Sequence, residues 1–169
     1  VEGAVLTTLG YVEKDGCYLL IHRTKKKNDI NKDKYIGIGG HVEERESPEE
    51  CMLREAREEA GIELKNLRLR GILTFLIDDL YEMSFLYTAD SFEGELIECD
   101  EGELVWVKKE EIANLPIWEG DRIFLYLLHT REDVFSLKLT YVKDVLQEVA
   151  LDGTVLEDWH IWEEEVKGL

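Results

Sequence analysis

Three glutamates, Glu55, Glu58 and Glu59, stand at positions i, i+3 and i+4 of one polar stretch. On a helix those positions project side by side, so their like charges repel unless something positive lies between them. A hard divalent cation, Mg²⁺ or Mn²⁺, satisfies such an arrangement, and these ions pair naturally with phosphate substrates. The chemistry implied is a metal-dependent reaction on a phosphate or diphosphate. An acidic face turned to water would account for the glutamates, but not for the glycines and the arginine spaced around them.

The elements that must position these carboxylates are well marked. Gly37, Gly39 and Gly40 permit close backbone approach to a ligand just before the acidic stretch. Ser47 suits an N-cap, Pro48 the first helical position, and Glu50 completes a capping box with Ser47. Gly61 supplies the stop, which predicts a helix over 48–60. Upstream, 4–12 and 17–21 read as strands of a hairpin turning at Lys14-Asp15-Gly16. Residues 23–34 read as a polar loop whose Lys25-Lys26-Lys27 cluster is solvated or meets a polyphosphate. Downstream, 67–77 and 83–89 form strands joined at Asp78-Asp79, and 103–107 a shorter one. A helical turn at 109–114 ends at Pro116, a helix follows over 121–129, and 134–141 and 145–151 form a last strand pair. The tail 159–169 mixes aromatics with glutamates and has no readable role.

Composition narrows the partners. A chain of 169 residues fits one globular domain covering 1–169. No apolar run approaches roughly 18 residues, so no membrane span is expected. With no signal-peptide pattern at the N-terminus, the cytoplasm is the default location. Cys17, Cys51 and Cys99 are widely spaced and odd in number, so neither a disulfide framework nor a CxxC metal site follows from them. The net charge of −18 argues against a nucleic-acid polymer, which needs a basic footprint. It does not argue against a single nucleotide, because a bound metal reverses the local sign.

The spacing within 40–62 resembles the Nudix box. Gly40, Glu46, Arg54, Glu55, Ala56, Glu58, Glu59, Gly61 and Ile62 fill its defined positions, Ala56 being the weakest match. Seven fixed positions coincide by chance on the order of once in 10⁸, so the match is specific. The resemblance implies an α/β Nudix fold, an α/β/α sandwich with a mixed β-sheet and the box as a loop–helix–loop. It implies Mg²⁺ (or Mn²⁺) held by Glu55, Glu58 and Glu59, the Gly39 carbonyl and Glu101. Arg54 would orient the glutamates and Glu46 would support the loop–helix junction. The general base varies in this family, and Glu55 and Glu101 both remain candidates.

A second likeness concerns the substrate. The stretches ECDEGELVW (98–106) and PIWEGDRIF (116–124) are similar to oxidised-purine nucleotide hydrolases of MutT type. That likeness implies Trp118 and Asp121 against the base, Glu101 near the metal, and Arg23 and Gly40 as further substrate contacts. Indole stacking and a carboxyl on the base edge are reasonable chemistry. The chain departs from the human-type pattern with Gly120-Asp121 where a paired aspartate stands, and with Ile36 where an asparagine is frequent. The proline of ADP-ribose-type members and the coenzyme A signature are missing, while Tyr81 lies near a tyrosine of dinucleoside polyphosphate hydrolases. Catalytically dead Nudix modules commonly lose box glutamates, and all three are kept here. The expected reaction is hydrolysis of a nucleoside triphosphate such as 8-oxo-dGTP to monophosphate and pyrophosphate. The expected partners are a nucleotide and, as is frequent in the family, a second copy in a homodimer.

Overall fold

Asp15 and Gly16, both at positive φ (52° and 76°), join β1 (Val5–Lys14) to β2 (Cys17–Arg23). Two left-handed residues in a two-residue loop make the turn that matches strand twist, and so fix the hairpin register Lys14↔Cys17. The computed structural model describes residues 3–160. The 161–169 part of the tail therefore lies outside the described residues.

The remaining elements are β3 (Tyr35–Ile36), β4 (Ile38–His41), α1 (Pro48–Ala60), β5 (Glu63–Ile77), β6 (Leu80–Glu93), β7 (Gly102–Lys108), α2 (Lys109–Ile112), α3 (Glu119–Thr130), β8 (Phe135–Val142), β9 (Val145–Leu151) and β10 (Thr154–Val155). The sheet is mixed. β1 runs parallel to β6 and β5 parallel to β8, while the other pairings are antiparallel. β1 is shared: Thr7–Gly10 pairs with β4, and Glu13-Lys14 alone pairs with β2. The chain thereby splays β2, β3 and β7 away from β4, and the box begins at that divergence.

One face of the sheet is covered by α1, whose Met52, Ala56 and Ala60 pack with Leu19, Ile21 and Ile38. The other face is covered by α3, whose Ile123, Phe124 and Leu127 pack with Tyr11, Leu73 and Leu139. This is the expected α/β/α sandwich. The caps of α1 also form: Ser47 Oγ accepts the Glu50 amide at 3.1 Å, and Gly61 takes φ 72°.

Two features differ from the sequence expectation. β5 and β6 are longer than expected, because Glu63 and Lys65 continue the backbone ladder with Glu93 and Ser91, and Ile77 and Phe75 continue it with Leu80 and Glu82. The glycines read for ligand approach lie in and beside two short strands, β3 and β4, and Gly39 faces the Thr8 carbonyl so closely that no Cβ would fit. The close approach at Gly39 is therefore made by a neighbouring strand. Among the described residues, no helix is long and apolar enough to cross a membrane.

Candidate active site

Arg54 organises the helical end of the site. Its Nε and Nη2 donate to Glu46 at 2.7 and 3.0 Å, and its Nη1 donates to Glu55 at 2.8 Å and Glu58 at 3.2 Å. Nη2 also reaches the His41 carbonyl at 3.1 Å, tying α1 to the end of β4. The Arg54 hydrogen bonds, with help from the Glu43 amide, hold the Glu46 carboxyl down at about 2. One guanidinium thus fixes three carboxylates and a carbonyl. Gly40 completes the packing, since a Cβ there would lie 2.5 Å from Glu55 Oε1.

Glu59 is 8% exposed, and its Oε2 has no hydrogen-bond partner among the described residues. Burial pushes its carboxyl well above the ordinary range, reinforced by a hydrogen bond to Glu55 and the charge of Glu101. A carboxyl in that position keeps its proton unless a cation enters. Glu55, Glu59 and Glu101 are hard oxygen donors, and the orphaned Oε2 is the kind of atom a divalent ion satisfies, so the residues fit such an ion. Glu58 stands apart, with its side chain 60% exposed and drawn toward Arg54. Among the described residues no three His, Cys, Asp or Glu side chains form a preconverged metal cluster.

A cleft of about 540 Å³ is lined by Gly39, Gly40, Arg23 and Glu101 and by a second cluster, Trp118 and Asp121, while Glu55, Glu58 and Glu59 lie outside its lining. Trp118 precedes the first turn of α3 and is 9% exposed. Its Nε1 donates to Asn31 Oδ1 at 2.7 Å, Tyr141 meets its ring edge-on at 5.3 Å, and Lys34 Nζ lies 4.9 Å from the ring centroid. Trp118 is therefore both a core residue and a cleft wall. Asp121 is 6% exposed, and burial raises its carboxyl to about 8 against the pull of Arg122 and Lys34. Gly120 has a steric reason: its N–H donates to Tyr141 Oη at 2.8 Å, and a Cβ would lie 2.5 Å from that oxygen.

Arg23 sits between two acids, donating to Asp29 at 2.7 Å and Glu101 at 2.8 Å. Lys26 also reaches Glu101, at 3.3 Å, and Lys25 bonds Glu98 and the Cys99 carbonyl. The lysine cluster is exposed, as the solvated reading expects, while Arg23 and Asp29 of the same segment turn in toward the cleft. Sequence reasoning missed Asp29, Asn31 and Lys34 there, and Thr7 and Glu82 in the strands. The loop did carry a signal, because Asp29 Oδ1 accepts the Asn31 amide at 3.0 Å in an Asx-turn, and this segment is rich in Asn and Asp.

Comparison with known proteins identifies the family. The NUDIX domain model matches residues 6–128, spanning both clusters of the cleft. The chain is 34% identical over 116 residues to the uncharacterised Nudix hydrolase YvcI of Bacillus subtilis (strain 168), covering 65% of this chain and 73% of that protein. It is 29% identical over 149 residues to an oxidised purine nucleoside triphosphate hydrolase of Danio rerio, covering 87% and 94%. A crystal structure of a mutator MutT protein from Bacillus halodurans superposes with a TM-score of 0.79 at 28% identity, covering 88% of this chain and 97% of that one. With the box, the mixed sheet and the two-ended cleft in place, the chain belongs to the Nudix family of hydrolases and is MutT-like.

Proposed function

We propose that this Nudix hydrolase cleaves oxidised purine nucleoside triphosphates, such as 8-oxo-dGTP, to the monophosphate and pyrophosphate. The observation that carries the reading is one cleft lined by Glu101 and by Gly40, which packs on Glu55, and also by Trp118 and Asp121. The name of the Danio rerio relative, matched over most of both chains, supports it. The net charge of −18 favours a free nucleotide over a polymer. Residues 1–169 are taken to work as one unit, because β8 extends the same sheet from β5 beyond the matched segment.

Nudix hydrolases use divalent metal ions; here Glu55, Glu58, Glu59, Glu101 and the Gly39 carbonyl would hold Mg²⁺ or Mn²⁺. A bound ion supplies neutralisation of phosphate charge and a lowered pKa of water. Arg54 orients Glu55 and Glu58 through its hydrogen bonds, and Glu55 or Glu101 takes the proton. Trp118 stacks on the base while Asp121 reads its edge.

The test is a panel of 8-oxo-dGTP, dGTP, ADP-ribose and a dinucleoside polyphosphate with Mg²⁺ or Mn²⁺, scoring pyrophosphate against phosphate release. Faster hydrolysis of 8-oxo-dGTP than dGTP, with pyrophosphate released, is expected. Equal rates on those two with much faster ADP-ribose cleavage would overturn the reading. Binding without product would instead make the chain a sensor.

A further inference from the structure

Glu82 is an acid placed where the fold calls for an apolar residue. The register sets it across from Phe75 of β5 and Val5 of β1, and all three line the cleft. Thr7, whose strand partners are Ser84 and His41, donates its hydroxyl to Glu82 Oε2 at 3.0 Å. Among the described residues no hydrogen bond engages Oε1, which is left as an acceptor for a ligand. Burial raises the Glu82 carboxyl, while Thr7 and His41 pull it back toward the ionised form.

The same cleft holds three other acids: Asp29 and Glu101, both paired with Arg23, and Asp121, supplied by α3 rather than the sheet. Apolar surface in the same lining comes from Leu9, Ile36, Phe75, Trp118 and Tyr141. A flat bicyclic base against Trp118 has two edges to offer, and Glu82 and Asp121 can take one each. The six-membered ring of a guanine-type base presents a ring N–H and an amino group, both donors. The five-membered ring of the ordinary base presents the N7 lone pair, which a carboxylate repels. Oxidation at C8 puts a proton on N7 and turns that edge into a donor. An acceptor facing it therefore attracts the oxidised base and repels the unmodified one, which is selectivity by both attraction and clash.

We infer that Glu82 is a specificity-determining residue, its free oxygen accepting the N7–H of an oxidised purine while Asp121 reads the amino edge. The inference rests on the proposed substrate class, and its test separates the two. Binding of the monophosphates 8-oxo-dGMP and dGMP is measured by calorimetry for wild type, Glu82→Gln and Thr7→Val. The ratio of kcat/KM for the two triphosphates is measured alongside, with thermal melting as the folding control.

Glu82→Gln keeps the shape but offers an amide donor to N7. The preference for 8-oxo-dGMP should fall about tenfold, and the kcat/KM ratio with it, mainly through KM. Thr7→Val, which frees Glu82 from its anchor, should move the preference the same way by less. If wild type prefers the oxidised base and Glu82→Gln keeps that preference within about twofold, Glu82 is not the reader and the proposed function stands. If wild type shows no preference in either assay, the proposed function fails and the inference falls with it.

Discussion

Trp118 and Asn31 are joined by a hydrogen bond of 2.7 Å, indole N–H to amide oxygen, across 87 residues of chain. Asn31 is in turn held by Asp29, Asp29 by Arg23, and Arg23 by Glu101. The Trp118 indole, proposed above to face the base, and the acid beside Glu59 are thus ends of one hydrogen-bonded path through the loop after β2. Asn31→Ala should leave the indole without its acceptor and free to turn. A neutral hydrogen bond of this kind contributes about 1 kcal/mol, so KM for the nucleotide should rise about fivefold with kcat little changed. Steady-state kinetics check this; a fall confined to kcat would show that Asn31 acts on the chemical end instead.

Glu59 is the acid most dependent on a cation. Without one it is buried, short of a partner at Oε2, and kept protonated. Glu59→Gln should therefore cost little stability in metal-free protein, because it replaces a neutral acid by a neutral amide. It should weaken Mn²⁺ binding, followed by electron paramagnetic resonance, and lower kcat/KM by about 100-fold or more. Unchanged Mn²⁺ affinity would remove Glu59 from the ligand set.

Asp121 gives the metal-free protein a pH dependence whose sign can be worked out. Its carboxyl is held at about 8 in the fold, against 3.8 for the ordinary group, chiefly by burial. Below the ordinary value both folded and unfolded chains hold the proton, and the stabilisation is fully present. As pH rises through the interval, the unfolded chain releases the proton and the folded one keeps it, so stability falls until the folded group also ionises. Asp121→Asn should flatten that part of the profile, by a few kcal/mol between about pH 4 and 8. Urea unfolding of both proteins across the interval gives the difference directly, with contributions from other groups cancelling. Parallel profiles would mean that Asp121 is ionised in the folded state.

How far this site could be read from sequence depends on whether each contact is local. The α1 caps, the Arg54 clamp and the glutamate face lie within one short segment, where spacing alone fixes geometry. Asn31 and Trp118 meet only because β2, the loop and α3 converge, and no periodicity announces such a meeting. Glu82 was hidden for another reason: it precedes the strand read at 83–89, and only the structure extends β6 back to Leu80 and sets Glu82 between β5 and β1. Gly39 shows the converse, a glycine read for its ligand and required by the Thr8 carbonyl.

Arg70 was equally invisible. A β-bulge between Leu69 and Gly71 gives β5 one residue more than β6, and the extra residue is Arg70, only 8% exposed. Its Nη2 donates to the Leu128 and Arg131 carbonyls at 2.8 Å each, closing the C-terminal end of α3, while Nε has no partner among the described residues. A guanidinium there satisfies orphan carbonyls and opposes the negative end of the helix dipole. Arg70→Ala should leave those carbonyls unpaired beside an existing cavity of about 300 Å³, costing about 2–4 kcal/mol. The urea midpoint should drop with the slope unchanged. Turnover at a temperature where the variant is folded should persist, because the catalytic cleft lies at the other end of α3, about 18 Å away. A loss of activity without loss of stability would show that the C-terminal end of α3 is coupled to Trp118 and Asp121.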